Sequence, residues 1–119
     1  MANTMQLSKS EIVASSLEKM QTELRADRMP LREAVAETCR ILFTFGHDSV
    51  LSGQITARAE QPGTYYTQRL GLGFDEITAD NLLLVNEDLE VISGNGMPNP
   101  ANRFHSWLYR ARPDLNCIV

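Results

Sequence analysis

Two cysteines, one tryptophan and two histidines are few among the 119 residues of this chain. Cys39 and Cys117 are two lone cysteines, too few for a disulfide framework. Each falls on an expected buried face. A bridge between them stays open, but nothing points to an oxidising compartment, and the cytoplasm is the default location. Basic residues are also scarce. Eleven Lys and Arg against fifteen Asp and Glu give a net charge of −4, which argues against a nucleic-acid surface. No apolar run is long enough to span a bilayer, and the first ten residues lack the apolar core of a secretory leader. His47 and His105 have no third ligand candidate at metal spacing, so no tight metal site is expected on these residues. Gly71-Leu72-Gly73 is a lone Gly-x-Gly with no Rossmann or Walker spacing after it, which excludes a nucleotide fingerprint. Internal repeats, low-complexity tracts and a linker dividing two domains are missing as well.

What is present is one domain's worth of ordinary globular sequence, 43% apolar and 22% charged. Residues 1–7 read as a frayed end. Ser8 and Glu11 form a capping box that opens a helix to about residue 26, with Ile12, Leu17 and Leu24 as its inward side. After a turn at residues 27–29, Pro30 opens a second helix. Leu31, Val35, Cys39, Leu42 and Phe45 make its apolar stripe, and Gly46 ends it in the left-handed conformation. A glycine turn at Gly53 leads into an alternating strand from Gln54 to Arg58. Residues 64–67 form a short aromatic strand, and residues 77–80 a helical turn with Thr78 as its cap. Residues 82–85 are a buried strand, Glu87-Asp88 a solvated hairpin turn, and residues 89–92 the returning strand.

The last segment is the most informative. Asn99 is placed to cap a helix and Pro100 suits its first position. Phe104, Trp107, Leu108 and Ala111 fall three and four apart on one apolar face, Pro113 stops the helix, and residues 115–119 start a buried strand. Arg103, Arg110 and Arg112 read as solvent or subunit contacts, and Trp107 and Tyr109 as core and interface.

The run from Phe104-His105 through Tyr109-Arg110-Ala111-Arg112-Pro113-Asp114 to Cys117-Ile118-Val119 resembles the class II aldolase/adducin family. So do the helix opening at Pro30 and the piece Gly53-Gln54-Ile55-Thr56-Ala57-Arg58, which is similar to the family's glycine–polar–β-branched–Ser signature. The resemblance covers residues 30–119 and leaves residues 1–29 as an N-terminal helical arm. It implies an α/β fold: a three-layer α/β/α sandwich with a mostly antiparallel central sheet, incomplete at the C-terminus. In that family the strand at residues 115–119 continues into a metal-binding His-x-His pair, so the chain is expected to stop one residue before the first of them.

The resemblance further implies a metal-dependent lyase, performing aldol cleavage or decarboxylation of a small oxygenated substrate. The complete domain would bind a divalent metal, zinc first among them, and would form a homo-oligomer, a tetramer in the family. This chain alone is expected to carry no metal and to be inactive. The alternative is a non-catalytic, adducin-like interaction module. By the resemblance, Gly53 and Gln54 hold substrate phosphate or carboxylate, and Gly71 lies in a second anion-binding loop. There Leu70 replaces the threonine usual in sugar-phosphate aldolases. His105 faces the substrate or lies behind the metal; read from the residues alone it is a packed, hydrogen-bonded helix histidine. The glutamate that supports proton transfer in those aldolases corresponds to Ala101, so no catalytic residue is assigned. His47 is read as lying at the helix end. Gly53, Gln54, Gly71 and His105 are the substrate-binding candidates.

Overall fold

The computed structural model describes residues 6–24, 29–48 and 50–119. Helix α1 is Lys9–Glu23 and α2 is Leu31–Thr44. Strands β1, Thr56–Arg58, and β2, Thr64–Thr67, come next, followed by a 3₁₀ turn at Phe74–Glu76. Strands β3, Leu83–Asn86, and β4, Val91–Ser93, precede a second 3₁₀ turn at Pro100–Asn102, which leads into α3, Arg103–Ala111. A two-residue strand β5, Cys117–Ile118, closes the chain.

The five strands form one sheet in the order β4-β3-β2-β1-β5, antiparallel at every pairing. The first four make a meander. The connection through α3 then carries β5 back across the sheet to the far side of β1. Alternation along the strands sorts side chains to two faces. On one, Ile55, Ala57 and Tyr66 cluster with Val35, Ala36 and Cys39 of α2 and with Phe74, Ile77 and Leu82. On the other, Tyr65, Leu83 and Val85 cluster with Tyr109 of α3. Helices from both ends of the chain therefore serve opposite sides of one sheet.

The local signals account for most element boundaries. The Ser8–Glu11 capping box is formed, with Ser8 N–H donating to Glu11 Oε2 at 2.7 Å and Glu11 N–H to Ser8 Oγ at 3.3 Å. Gly46 ends α2 at φ 96°, and Asn99 Oδ1 accepts from Ala101 N at 3.0 Å at the start of the last helical segment. Residues 25–28, where the first helix was expected to end and the turn to lie, are outside the described residues, as are residues 1–5 of the expected frayed end.

Several expectations are corrected. Ile12, Leu17 and Leu24 are exposed, and α1 buries nothing. Phe45 lies one residue past α2, where the chain has already turned off the helix, and is 80% exposed. The helical turn expected at residues 77–80 falls earlier, at Phe74–Glu76. Thr78 caps nothing; its N–H donates to Asn81 Oδ1, and Asn81 Nδ2 donates to Glu76 O, so Asn81 fixes that corner. The apolar face of α3 points the wrong way: Phe104, Trp107 and Leu108 are exposed, while His105, Ser106 and Tyr109 are buried. Strand β5 is an edge strand and not a buried one, with Cys117 and Val119 exposed. Both cysteines are free thiols.

Candidate functional site

The segment entering β1 is held by a side chain rather than by the sheet ladder. Gln68, buried just past β2, accepts from Ile55 N–H at 2.9 Å through Oε1 and donates through Nε2 to Gly53 O. The Thr67 hydroxyl donates to Ile55 O at 2.7 Å. One amide thus clasps the backbone on both sides of Gln54, which explains why the ladder begins only at Thr56. Gly53 lies against the Phe74 ring; a Cβ there would come within 2.9 Å of Cζ. Its small size, not a special dihedral, is what the site uses. Gly71, by contrast, has φ 98° and open space around it. Its loop is tied to the connector before α3 by Leu70 N–H donating to Met97 O at 2.8 Å and by an Arg69–Pro98 bridge.

The inner side of α3 is polar and meets the polar side of β1 and β2. Thr56 Oγ1 lies 2.8 Å from His105 Nδ1 and 2.9 Å from the Tyr109 hydroxyl, which also lies 2.9 Å from Thr56 O. Three contacts need three protons. Tyr109 and Thr56 supply one each, so the third must sit on His105 Nδ1. His105 Nε2 is then a bare acceptor, and it is buried without a partner. Asn102 ends in the same condition. Because the Thr67 proton is used on Ile55 O, Thr67 Oγ1 must accept from Asn102 Nδ2, at 2.8 Å, and Asn102 Oδ1 is left buried and unpaired. Burial pushes the His105 pKa down to about 4, so the ring is neutral at physiological pH. It also pushes the Tyr109 hydroxyl up to about 12.

Arg58, the last residue of β1, reaches the C-terminal end of α3. Its Nε donates to Leu115 O at 2.6 Å and Nη2 to Tyr109 O at 2.9 Å, and the guanidinium lies 4.6 Å from the Tyr109 ring centroid. The sequence did not single out Arg58. The available signal was its position at the end of a strand whose inward neighbour, Thr56, is also polar.

The four candidates do not converge on one cavity. Gly53 packs on Phe74, whose cluster lies on the α2 side of the sheet, and Gln54 is half-buried beside it. Gly71 is exposed on its loop, and His105 is enclosed on the α3 side. A recess of about 410 Å³ beside Gly53 is lined by Phe43, Leu51, Phe74 and three carboxylates, Asp48, Asp75 and Glu76. That lining disfavours an anion. His47 is exposed after α2. Among the described residues no three His, Cys, Asp or Glu side chains group closely enough to hold a metal ion. His105, the histidine nearest the recognised motif's core, offers one buried nitrogen with no second ligand beside it. The described residues do not fit a metal centre of their own. Among the described residues, no helix is long and apolar enough to cross a membrane.

The family model for the class II aldolase and adducin N-terminal domain matches residues 33–119. A 5-methylthioribulose-1-phosphate/5-deoxyribulose-1-phosphate aldolase of Escherichia coli is 27% identical over 78% of this chain and 42% of its own length. Alpha-adducin of Rattus norvegicus is 30% identical over 75% of this chain and 13% of its own. The solved L-fuculose 1-phosphate aldolase of Glaciozyma antarctica superposes with a TM-score of 0.69 at 29% identity, covering 73% of this chain and 37% of that one. The chain therefore spans less than half the length of each of these relatives. With residues 33–119 matched by that model, the chain belongs to the class II aldolase and adducin N-terminal domain family.

Proposed function

We propose that the protein is a metal-dependent lyase performing aldol cleavage or decarboxylation of a small oxygenated substrate, and that residues 30–119 are the N-terminal part of its three-layer α/β/α domain. The similarity to two sugar-phosphate aldolases supports this reading. In the complete domain a divalent metal, zinc in this proposal, would stabilise negative charge on the substrate oxygen. Within this chain the roles are those of a scaffold. Gly53 lets the turn lie close against Phe74, Gln68 holds that turn, Gln54 is presented from it, and the Gly71 loop borders the connector to α3. His105 acts as a positioning residue: it holds the Thr56 hydroxyl, which in turn meets Tyr109, and so supports the β1–α3 contact. The protein would work as a cytoplasmic homo-oligomer.

The single observation that carries the proposal is the fold shared with the solved L-fuculose 1-phosphate aldolase, within which the Gln68 clasp holds the Gly53-Gln54 turn of this chain. The coding DNA just past codon 119 tests it. An in-frame His-x-His, with metal retained by the purified product and activity lost on chelation, is the expected result; a stop codon with no such pair overturns it.

A second reading, a non-catalytic adducin-like interaction module, is favoured by two observations. Alpha-adducin matches over the same region. Ala101 stands exposed where the resemblance expects a proton-transfer glutamate. It predicts no retained metal and no lyase activity.

A further inference from the structure

Helix α1 has an apolar stripe that none of the described residues buries. None of its residues is buried, and Val13, Leu17, Met20 and, at its C-cap, Leu24 are all exposed. A helix of this length is marginal in water by itself, and a capping box adds only about 1 kcal/mol. Most of a short helix's stability comes from packing its apolar face, so α1 calls for a partner.

The stripe indicates which one. Its residues are spaced four, three and four apart. Alternating fours and threes are the a and d spacing of a coiled-coil heptad, a narrow seam against another helix. The seam is also self-complementary. Laid antiparallel on a second copy, Val13 opposes Leu24 and Leu17 opposes Met20, so each smaller aliphatic residue or branched leucine faces a longer or larger partner. The flanking positions set Ala14 against Gln21 and Ser16 against Glu23, and no like charges meet. A two-fold interface requires this kind of self-match. The antiparallel arrangement also opposes the two helix dipoles, whereas a parallel pair would align them. The exposed face of α3 is a poorer mate, because Phe104, Trp107 and Leu108 fill only about one turn and cannot cover four rungs. The α1 seam lies outside the matched residues 33–119, so this inference is independent of the lyase reading.

We propose that α1 is a self-association helix, pairing antiparallel with α1 of a second copy of this chain. Sedimentation equilibrium of the 119-residue chain, over a series reaching high micromolar concentration, should show a dimer. Leu17→Glu should shift it to monomer, while Ser15→Glu, on the back of the helix, should leave the mass unchanged. In a Cys117→Ser background, an equal mixture of Ser16→Cys and Glu23→Cys chains should form a disulfide-linked dimer under mild oxidant, and neither variant should do so alone. A chain that stays monomeric at every concentration overturns the proposal. So does an undiminished dimer in Leu17→Glu, or self-linking of Ser16→Cys alone.

Discussion

A Cβ built on Gly53 meets the buried Phe74 ring at 2.9, 3.1 and 3.2 Å across three of its carbons. The ring is packed in the α2-side cluster and cannot simply step aside. At Gly71 nothing lies within 4 Å, but φ 98° is a backbone that L side chains resist. The two glycines should therefore answer oppositely to size and to conformational tolerance. Both Gly→Ala changes should cost about 1–3 kcal/mol. Asparagine, which is larger but accepts positive φ more readily, should be worse than alanine at Gly53 and better than alanine at Gly71. Denaturant midpoints of the four variants give the order directly. His105 makes a prediction of a different kind. Its pKa is about 4 when folded and near 6.5 when exposed. Between those values the unfolded chain holds a proton that the folded chain does not, so stability rises with pH. The neutral-ring contribution is fully present above about pH 6.5 and is lost as pH falls toward 4, by roughly 3 kcal/mol in all. His105→Gln should flatten that part of the stability profile; an unchanged slope in the variant would exclude His105 as its source.

Between α3 and β5 the chain turns on one side chain from another element. Arg58 donates to the carbonyls of Tyr109 and Leu115, bonds that no residue within the turn replaces. Charge-assisted bonds of this kind are worth about 1.5–3 kcal/mol each when a partner is removed. Arg58→Met should therefore destabilise the chain by a few kcal/mol and accelerate amide exchange at the end of α3 and in β5. Lysine should not rescue it, since a single ammonium cannot span two carbonyls and stack on Tyr109 as the planar fork does. This arginine also shows what was and was not legible beforehand. The strand at residues 64–67 and the hairpin around Glu87-Asp88 were readable, because alternation and turn chemistry are local. The inward side of α3 was not. Periodicity located its apolar stripe correctly, but a stripe does not say what covers it. The sheet's α3 side presents Thr56 and Thr67 to the helical segment, and their hydrogen-bonding mates are His105, Tyr109 and Asn102 rather than an apolar stripe. The Gln68 clasp was equally hidden, since it joins residues thirteen and fifteen positions apart that carry no motif.

Within the molecule as a whole, one group of exposed apolar residues lies on the outer side of α3 and at the chain end beside β5. Phe104, Trp107, Leu108 and Val119 are exposed there together with the edge strand itself. Edge strands and apolar patches of this kind are places where further chain or another subunit adds. The sole tryptophan is a built-in reporter of that surface, because Trp107 is 61% exposed and no other residue contributes indole emission. In the 119-residue chain its emission should be red-shifted and readily quenched by acrylamide. Trp107→Ser should change stability by no more than about 0.5 kcal/mol, as for other surface substitutions that break no contact. Covering of that face, by any chain encoded beyond residue 119 or by another subunit, should shift the emission to the blue and shield it from quencher. A blue, protected Trp107 in the isolated chain would mean that α3 is already covered, and that its apolar face is not a surface open to further chain or another subunit.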